Sequence, residues 1–236
     1  VLFSDGVTQA GLGQPEKHGT WGAAQAADHV LNTVHQEPEI AARHLAGRFM
    51  KRALSKDAYK PKDDMTCAVL YYRQTRHLIV ATGPPYEAES DRLLARKVKN
   101  FDGRRLICGG TTADIIAREL GETVEMDIQN LDPDMPPASK MNSVDLVTEG
   151  TLTLEAVLRM LERERPVRAD KSDAATQAVE LMEHSDHIHF IVGNRINNAH
   201  QNPANPRQLD IRRNIVQRIR NLLEHNYLKE TSIELI

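Results

Sequence analysis

Arg105-Leu106-Ile107-Cys108-Gly109-Gly110-Thr111-Thr112-Ala113 reads as a short apolar strand, a glycine pair and the opening of a helix over Ala113–Leu120. The same order recurs on both sides of it. Apolar, β-branched runs predict strands at Leu78–Thr82, Thr123–Asp127, Asp145–Val147 and His187–Val192, with a last one near Thr231–Leu235. Between them, apolar residues at helical spacing predict helices over Ser90–Asn100, Leu154–Arg163, Asp173–His184 and Leu209–His225. In the last of these, Ile211, Ile215, Ile219, Leu222 and Leu223 share one face, and Arg212, Arg213, Arg218 and Arg220 are placed on a solvated outer face. Strands alternating with helices imply a mainly parallel, doubly wound sheet with helices on both sides. This α/β domain is expected to cover residues 77–236.

Residues 1–76 read differently. Val1–Ser4 is a short apolar strand and Asp5-Gly6 a turn, followed by a loop with Gly11, Gly13, Gly19 and Gly22. A helix is expected over Ala23–His35, and a second one started by Pro38 carries Ile40, Leu45, Phe49 and Leu54 on its apolar stripe. After the turn at Pro61–Asp64, Thr66–Tyr72 is expected as a strand. Val1 opens directly on a strand, and a strand needs ladder partners. The reading therefore expects a domain truncated at its amino terminus.

The chain has 236 residues, of which 40% are hydrophobic and 27% charged, sufficient for a globular core. A formal net charge of −3 supplies no basic field, so nucleic acid is not an expected partner. No apolar run approaches the roughly 20 residues of a membrane span. Two cysteines, Cys67 and Cys108, make neither a disulfide framework nor a zinc motif, and a reducing cytoplasm is the expected setting.

Two short motifs carry candidate chemistry. Phe3-Ser4-Asp5-Gly6-Val7-Thr8 and Lys62-Asp63-Asp64-Met65-Thr66 each place an acid at the edge of an apolar strand. Hard divalent cations prefer oxygen ligands and retain waters, and carboxylates at strand ends can hold such ions with open positions. Taken singly, each motif also reads as an ordinary polar turn.

In combination and order, strand–Ser-Asp-Gly-Val-Thr, glycine-containing loop, two helices, then Asp-Asp-Met-Thr opening a strand resembles the metal-dependent serine/threonine protein phosphatases of type 2C, in their SpoIIE-like bacterial branch. The resemblance covers residues 1 to about 73 and implies the carboxyl-terminal part of an α-β-β-α phosphatase sandwich. It implies that Asp5 and Asp63 bind Mn²⁺ or Mg²⁺, two ions in the intact site, beside a water that attacks phosphorus. Asp64, where many relatives have Asn, would support the site. It further implies a phosphorylated bacterial regulatory protein as substrate. The family's upstream Asp-Gly motif, whose aspartate bridges the metals, has no counterpart here and is expected before Val1.

In doubly wound sheets ligands sit beyond the carboxyl ends of the strands. Four loops of the second domain are in that position: Thr82–Pro85, Gly109–Ala113, Thr148–Gly150 and Gly193-Asn194. Gly109, Gly110, Thr111 and Thr112 read either as a site for a small anionic ligand at a helix start or as a tight turn with Thr111 or Thr112 as N-cap. Cys-Gly-Gly-Thr-Thr-Ala, Asp-Leu-Val-Thr-Glu-Gly and Asn-x-Ala-His-Gln-Asn also resemble the extra domain that follows some SpoIIE-like phosphatases, which implies a regulatory or sensory role. His187 and His189 share one face of a strand and read either as core residues or as metal ligands. His200 falls in the Asn/Pro-rich loop Asn197–Pro206.

Overall fold

A computed structural model describes residues 1–13, 19–127, 136–163, 173–194 and 207–236. The chain is mixed α/β and divides into two compact units, Val1–Gln74 and Thr75–Ile236.

In the first unit β1 (Leu2–Phe3) pairs antiparallel with β2 (Cys67–Ala68), Leu2 opposite Ala68 and Phe3 opposite Cys67. Three helices follow β1: α1 (Asp5–Gln9), α2 (Gly22–Gln36) and α3 (Ala42–Lys56). Their apolar stripes meet in a core of Val7, Ala10, Trp21, Ala26, Phe49 and Ala53. Phe49 is fully buried, with the rings of Phe3 and Trp21 at 5.3 and 5.2 Å.

Three local expectations for this unit are corrected. Asp5-Gly6 is not a simple turn but the first residues of α1, with Ser4 extended at its N-cap. Pro38 does not start a helix; Ala41 is still extended and α3 begins at Ala42. The strand expected over Thr66–Tyr72 forms a ladder only at Cys67–Ala68, because β1 offers only two residues to pair with. Leu70 and Tyr72 beyond it are exposed, so their β propensity has nothing to pack against.

The second unit runs β3 (His77–Thr82), α4 (Asp91–Lys99), β4 (Arg104–Cys108), α5 (Gly110–Leu120), β5 (Glu125–Met126), β6 (Ser139–Met141) and β7 (Val144–Thr148). It continues with α6 (Thr151–Glu162), α7 (Ala174–Glu183), β8 (His187–Val192), α8 (Arg207–His225) and β9 (Glu230–Leu235). These strands form one sheet in the order β5-β6-β7-β4-β3-β8-β9. The five strands from β7 to β9 are parallel, and β5 and β6 add an antiparallel edge. The inner strands are nearly continuous in apolar residues because helices cover both of their faces. One layer joins Val80, Leu106, Leu146 and Phe190 to α6, α7 and α8. The other joins Ile79, Ala81 and Ile107 to α4 and α5.

The connections set the position of any ligand crevice. From β3 the chain steps through β4 to β7 by way of α4 and α5 on one face. It then returns past β3 and steps from β8 to β9 by way of α8 on the opposite face. Crossovers therefore diverge between β3 and β8, the topological switch point.

Candidate functional site

The antiparallel register of β1 and β2 brings the two acidic motifs to one place in the first unit. Ser4 ties them together: its N–H donates to the Thr66 carbonyl at 3.0 Å, and its hydroxyl donates to the Asp64 carbonyl at 3.1 Å while accepting from the Thr66 N–H at 3.0 Å. Gly6 seats directly against the second motif. A Cβ built on it would lie 2.4 Å from the Asp64 carbonyl oxygen and 3.5 Å from the Asp63 Cβ. Only a glycine permits this approach.

Asp5, Asp63 and Asp64 are all exposed. The Asp5 carboxylate accepts from the Gly6 N–H at 3.1 Å and from the Gln9 side-chain amide at 3.3 Å. Asp63 Oδ1 accepts from the Asp64 N–H at 2.8 Å, which restrains the carboxylate. Oxygen-only donors on exposed, hydrogen-bonded carboxylates suit Mg²⁺ or Mn²⁺, which keep several waters. The two acids fit that chemistry as a partial ligand set; among the described residues no group of three or more His, Cys, Asp and Glu side chains gathers.

Asp57 escaped the sequence reading. It is 3% exposed, and its Oδ1 accepts from the Gly11 N–H at 2.8 Å, pinning the loop after α1 to the end of α3. Lys62 Nζ donates to the Leu12 carbonyl at 2.5 Å and anchors the same loop to the second motif. Contacts between residues 46 and 50 positions apart in sequence give no local signal.

In the second unit the Gly-Gly-Thr-Thr segment differs from its expected form. Gly109 is the N-cap, at φ +131° and ψ +125°, and α5 begins at Gly110. Thr111 and Thr112 lie within the first turn, so neither is the N-cap; Thr112 is buried. Gly109 holds a backbone conformation, φ +131°, that side-chain-bearing residues rarely adopt, and it packs in ordinary contact with Gly150, the N-cap of α6.

The last residues of three strands form a polar row on the α6–α8 face. Register places Thr82 beside Cys108 and Cys108 beside Thr148. Burial pushes the Cys108 thiol up to about 12, against a smaller opposing effect of its hydrogen bond with Thr148. The thiol is therefore protonated and inert at neutral pH.

Arg212 corrects the placing of the last helix's arginines on a solvated face. It lies one turn before Val216 on the inward stripe of α8 and rests on Gly83, so closely that a Cβ there would sit 2.5 Å from its Nη1. Desolvation lowers its pKa, partly opposed by the Glu149 carboxylate nearby. Arg213 donates to Asn194 Oδ1, Arg218 to Glu162 at 2.5 Å, and Arg220 to Glu224 at 3.0 Å.

At the opposite edge of the sheet the rings of His77 and His187 stack at 5.0 Å. His187 Nδ1 lies 3.1 Å from Glu230, and His189 has Ser232 at 2.6 Å on Nδ1 and Glu234 at 3.4 Å on Nε2. Cross-strand partners on β9 thus occupy both nitrogens of His189. His200 and the Asn197–Pro206 loop lie outside the described residues. No described helix is long and apolar enough to cross a membrane. Comparison with known protein families, curated proteins and solved structures gives no match.

Proposed function

We propose that residues 1–74 belong to a metal-dependent serine/threonine protein phosphatase of the SpoIIE-like, type 2C kind. The substrate is phosphoserine or phosphothreonine on a bacterial regulatory protein, in the cytoplasm, and residues 75–236 are a regulatory domain that senses a small anionic ligand. The observation that carries the reading is the close seating of Ser4-Asp5-Gly6 on Asp63-Asp64 through the Ser4 hydroxyl. Two acidic motifs 58 residues apart in sequence are seated against each other, which supports the resemblance. In this reading Asp5 and Asp63 hold Mn²⁺ or Mg²⁺. Bound there, such an ion supplies neutralisation of phosphoryl charge and an acidified water. The residues' own contribution is positional. Ser4 locks the two strands in register, Gly6 admits the Asp63–Asp64 backbone, and Asp64 fixes the Asp63 carboxylate through its N–H.

The test is Mn²⁺-dependent hydrolysis of an aryl phosphate and a phosphoserine peptide by this chain together with any coding sequence that precedes Val1, compared with Asp63→Asn. Metal-dependent activity that falls by orders of magnitude in the variant supports the assignment. Absence of metal-dependent turnover on both substrates removes it. It would favour a second reading, in which the α/β unit is a non-catalytic ligand- or partner-binding module; the half-buried Arg212 at its strand edge is what favours that alternative.

A further inference from the structure

Four features belong to the carboxyl edge of the parallel sheet and to the helices α6 and α8 that cover one of its faces. Thr82 ends β3, and strand alternation puts its side chain on the same face as Val80, beneath these helices. Thr153 begins the inward stripe of α6 that continues through Val157 and Leu161. Both threonines are fully buried, and the hydroxyl of each lacks a hydrogen-bond partner among the described residues. Arg212 lies on the corresponding stripe of α8, and its guanidinium is laid on Gly83. Glu149, at the end of β7, accepts the Leu152 N–H at 3.2 Å and lies near enough to act electrostatically on both Arg212 and Cys108.

Buried hydroxyls are costly when left unsatisfied. The place is also where a doubly wound sheet receives ligands. Gly83 (φ +82°) and Gly193 abut across the β3/β8 switch point, the Gly83 carbonyl 2.2 Å from where a Gly193 Cβ would be. Neither position has room for a Cβ, so glycine is what lets the two strand ends and Arg212 approach this closely. We propose that this edge is a phosphate site, in which Arg212, Thr82 and Thr153 bind the oxygens of a phosphate or phosphate monoester and Glu149 accepts its P–OH proton. A site with both a guanidinium and a carboxylate needs a ligand that accepts and donates. Hydrogen phosphate does both at neutral pH, whereas sulfate has no proton to give. The proposal deepens the ligand-sensing reading of residues 75–236 and is independent of any phosphatase activity in residues 1–74.

The experiment is titration of the whole chain with inorganic phosphate or sulfate at matched ionic strength, with a chelator present so that no metal-held phosphate contributes. Binding is read by the shift of thermal unfolding and by ³¹P line broadening. Saturable phosphate binding is expected, weakened roughly tenfold or more by Arg212→Gln and by the near-isosteric Thr82→Val, and unaffected by Arg218→Gln. Glu149→Gln is expected to abolish the preference for phosphate over sulfate. No saturable binding, or equal binding by wild type, Arg212→Gln and Thr82→Val, overturns the proposal. Should Arg212→Gln not fold, Thr82→Val alone decides. Hydrolysis assays with Asp63→Asn do not enter this result, so the two readings fail separately.

Discussion

Replacing Gly6 by alanine perturbs the candidate metal centre without removing any ligand. The new Cβ would stand 2.4 Å from the Asp64 carbonyl oxygen and 3.1 Å from its carbon, both backbone atoms. Relief to ordinary contact requires the Asp63–Asp64 segment to recede by about 1 Å. Overpacking of this kind costs ~1–3 kcal/mol. The movement also stretches the 3.1 Å bond from the Ser4 hydroxyl to the Asp64 carbonyl, worth a further ~1 kcal/mol. We therefore expect a loss of about 2–4 kcal/mol from the first unit. The protein has a single tryptophan, Trp21, 3% exposed in that unit's core, so urea denaturation followed by its fluorescence reports this unit selectively. Gly47→Ala is the matched control. Its Cβ meets nothing within 4 Å in the exposed middle of α3, and a gain of ~0.5–1 kcal/mol is expected. Mn²⁺ affinity, read by water-proton relaxation, should fall in Gly6→Ala and stay unchanged in Gly47→Ala. A Gly6→Ala protein with wild-type stability and wild-type Mn²⁺ affinity would refute the argument that this close approach builds the site.

Three further outcomes follow from packing and charge. Phe49→Ala, at a fully buried position beneath Phe3 and Trp21, should cost ~3–5 kcal/mol and abolish the tryptophan transition first. At pH 8, a disulfide reagent should titrate Cys67 in the native protein and reach Cys108 only on unfolding. Burial raises Cys108 from 9.0 to about 12, so its contribution to stability is complete below pH 9 and declines as pH rises from there. Glu234 is held below its ordinary 4.5 chiefly by the hydrogen bond from Lys97 at 2.9 Å, and secondarily by His189. Its contribution is present above pH 4.5 and lost as pH falls through the lowered value; Lys97→Met should flatten that acid limb at a cost of only ~0.5 kcal/mol near neutrality, the pair being partly exposed.

The fold of the second unit was legible because its signals are redundant. β8 spans His187–Val192 and α8 ends at His225, as the hydrophobic pattern predicts, since buried parallel strands and long amphipathic helices advertise themselves. The antiparallel edge was not foreseen in β6, and β5 shrank to Glu125–Met126, because short exposed edge strands take their conformation from a partner. Of the candidate site, Asp5, Asp63 and Asp64 could be named from motif order, but their meeting depends on a two-residue ladder and on Gly6, which no local pattern specifies. Arg212 was hidden for a different reason. Counted by charge it belongs with Arg213, Arg218 and Arg220; counted by helical period it belongs with Val216, Ile219 and Leu223, and the packing follows the period.

The two edges of the parallel sheet show why the carboxyl edge is the one to test. Towards the amino edge, Glu230 and Ser232 of β9 stand in register with His187 and His189 of β8 and contact them, and Glu234 further along β9 reaches the other ring nitrogen of His189. That row is satisfied within the chain. At the carboxyl edge the helices α6 and α8 begin, so their first inward positions face the strand ends before the apolar stripes do. Apolar residues there would have sealed the layer at no electrostatic cost. Instead the sequence places Thr153 in the first turn of α6 and Arg212 on the inward stripe of α8, and leaves the buried hydroxyls of Thr82 and Thr153 without partners among the described residues. Unpartnered hydroxyls buried at the switch point, where a doubly wound sheet receives ligands, favour a bound ligand over a structural role as the source of their missing hydrogen bonds.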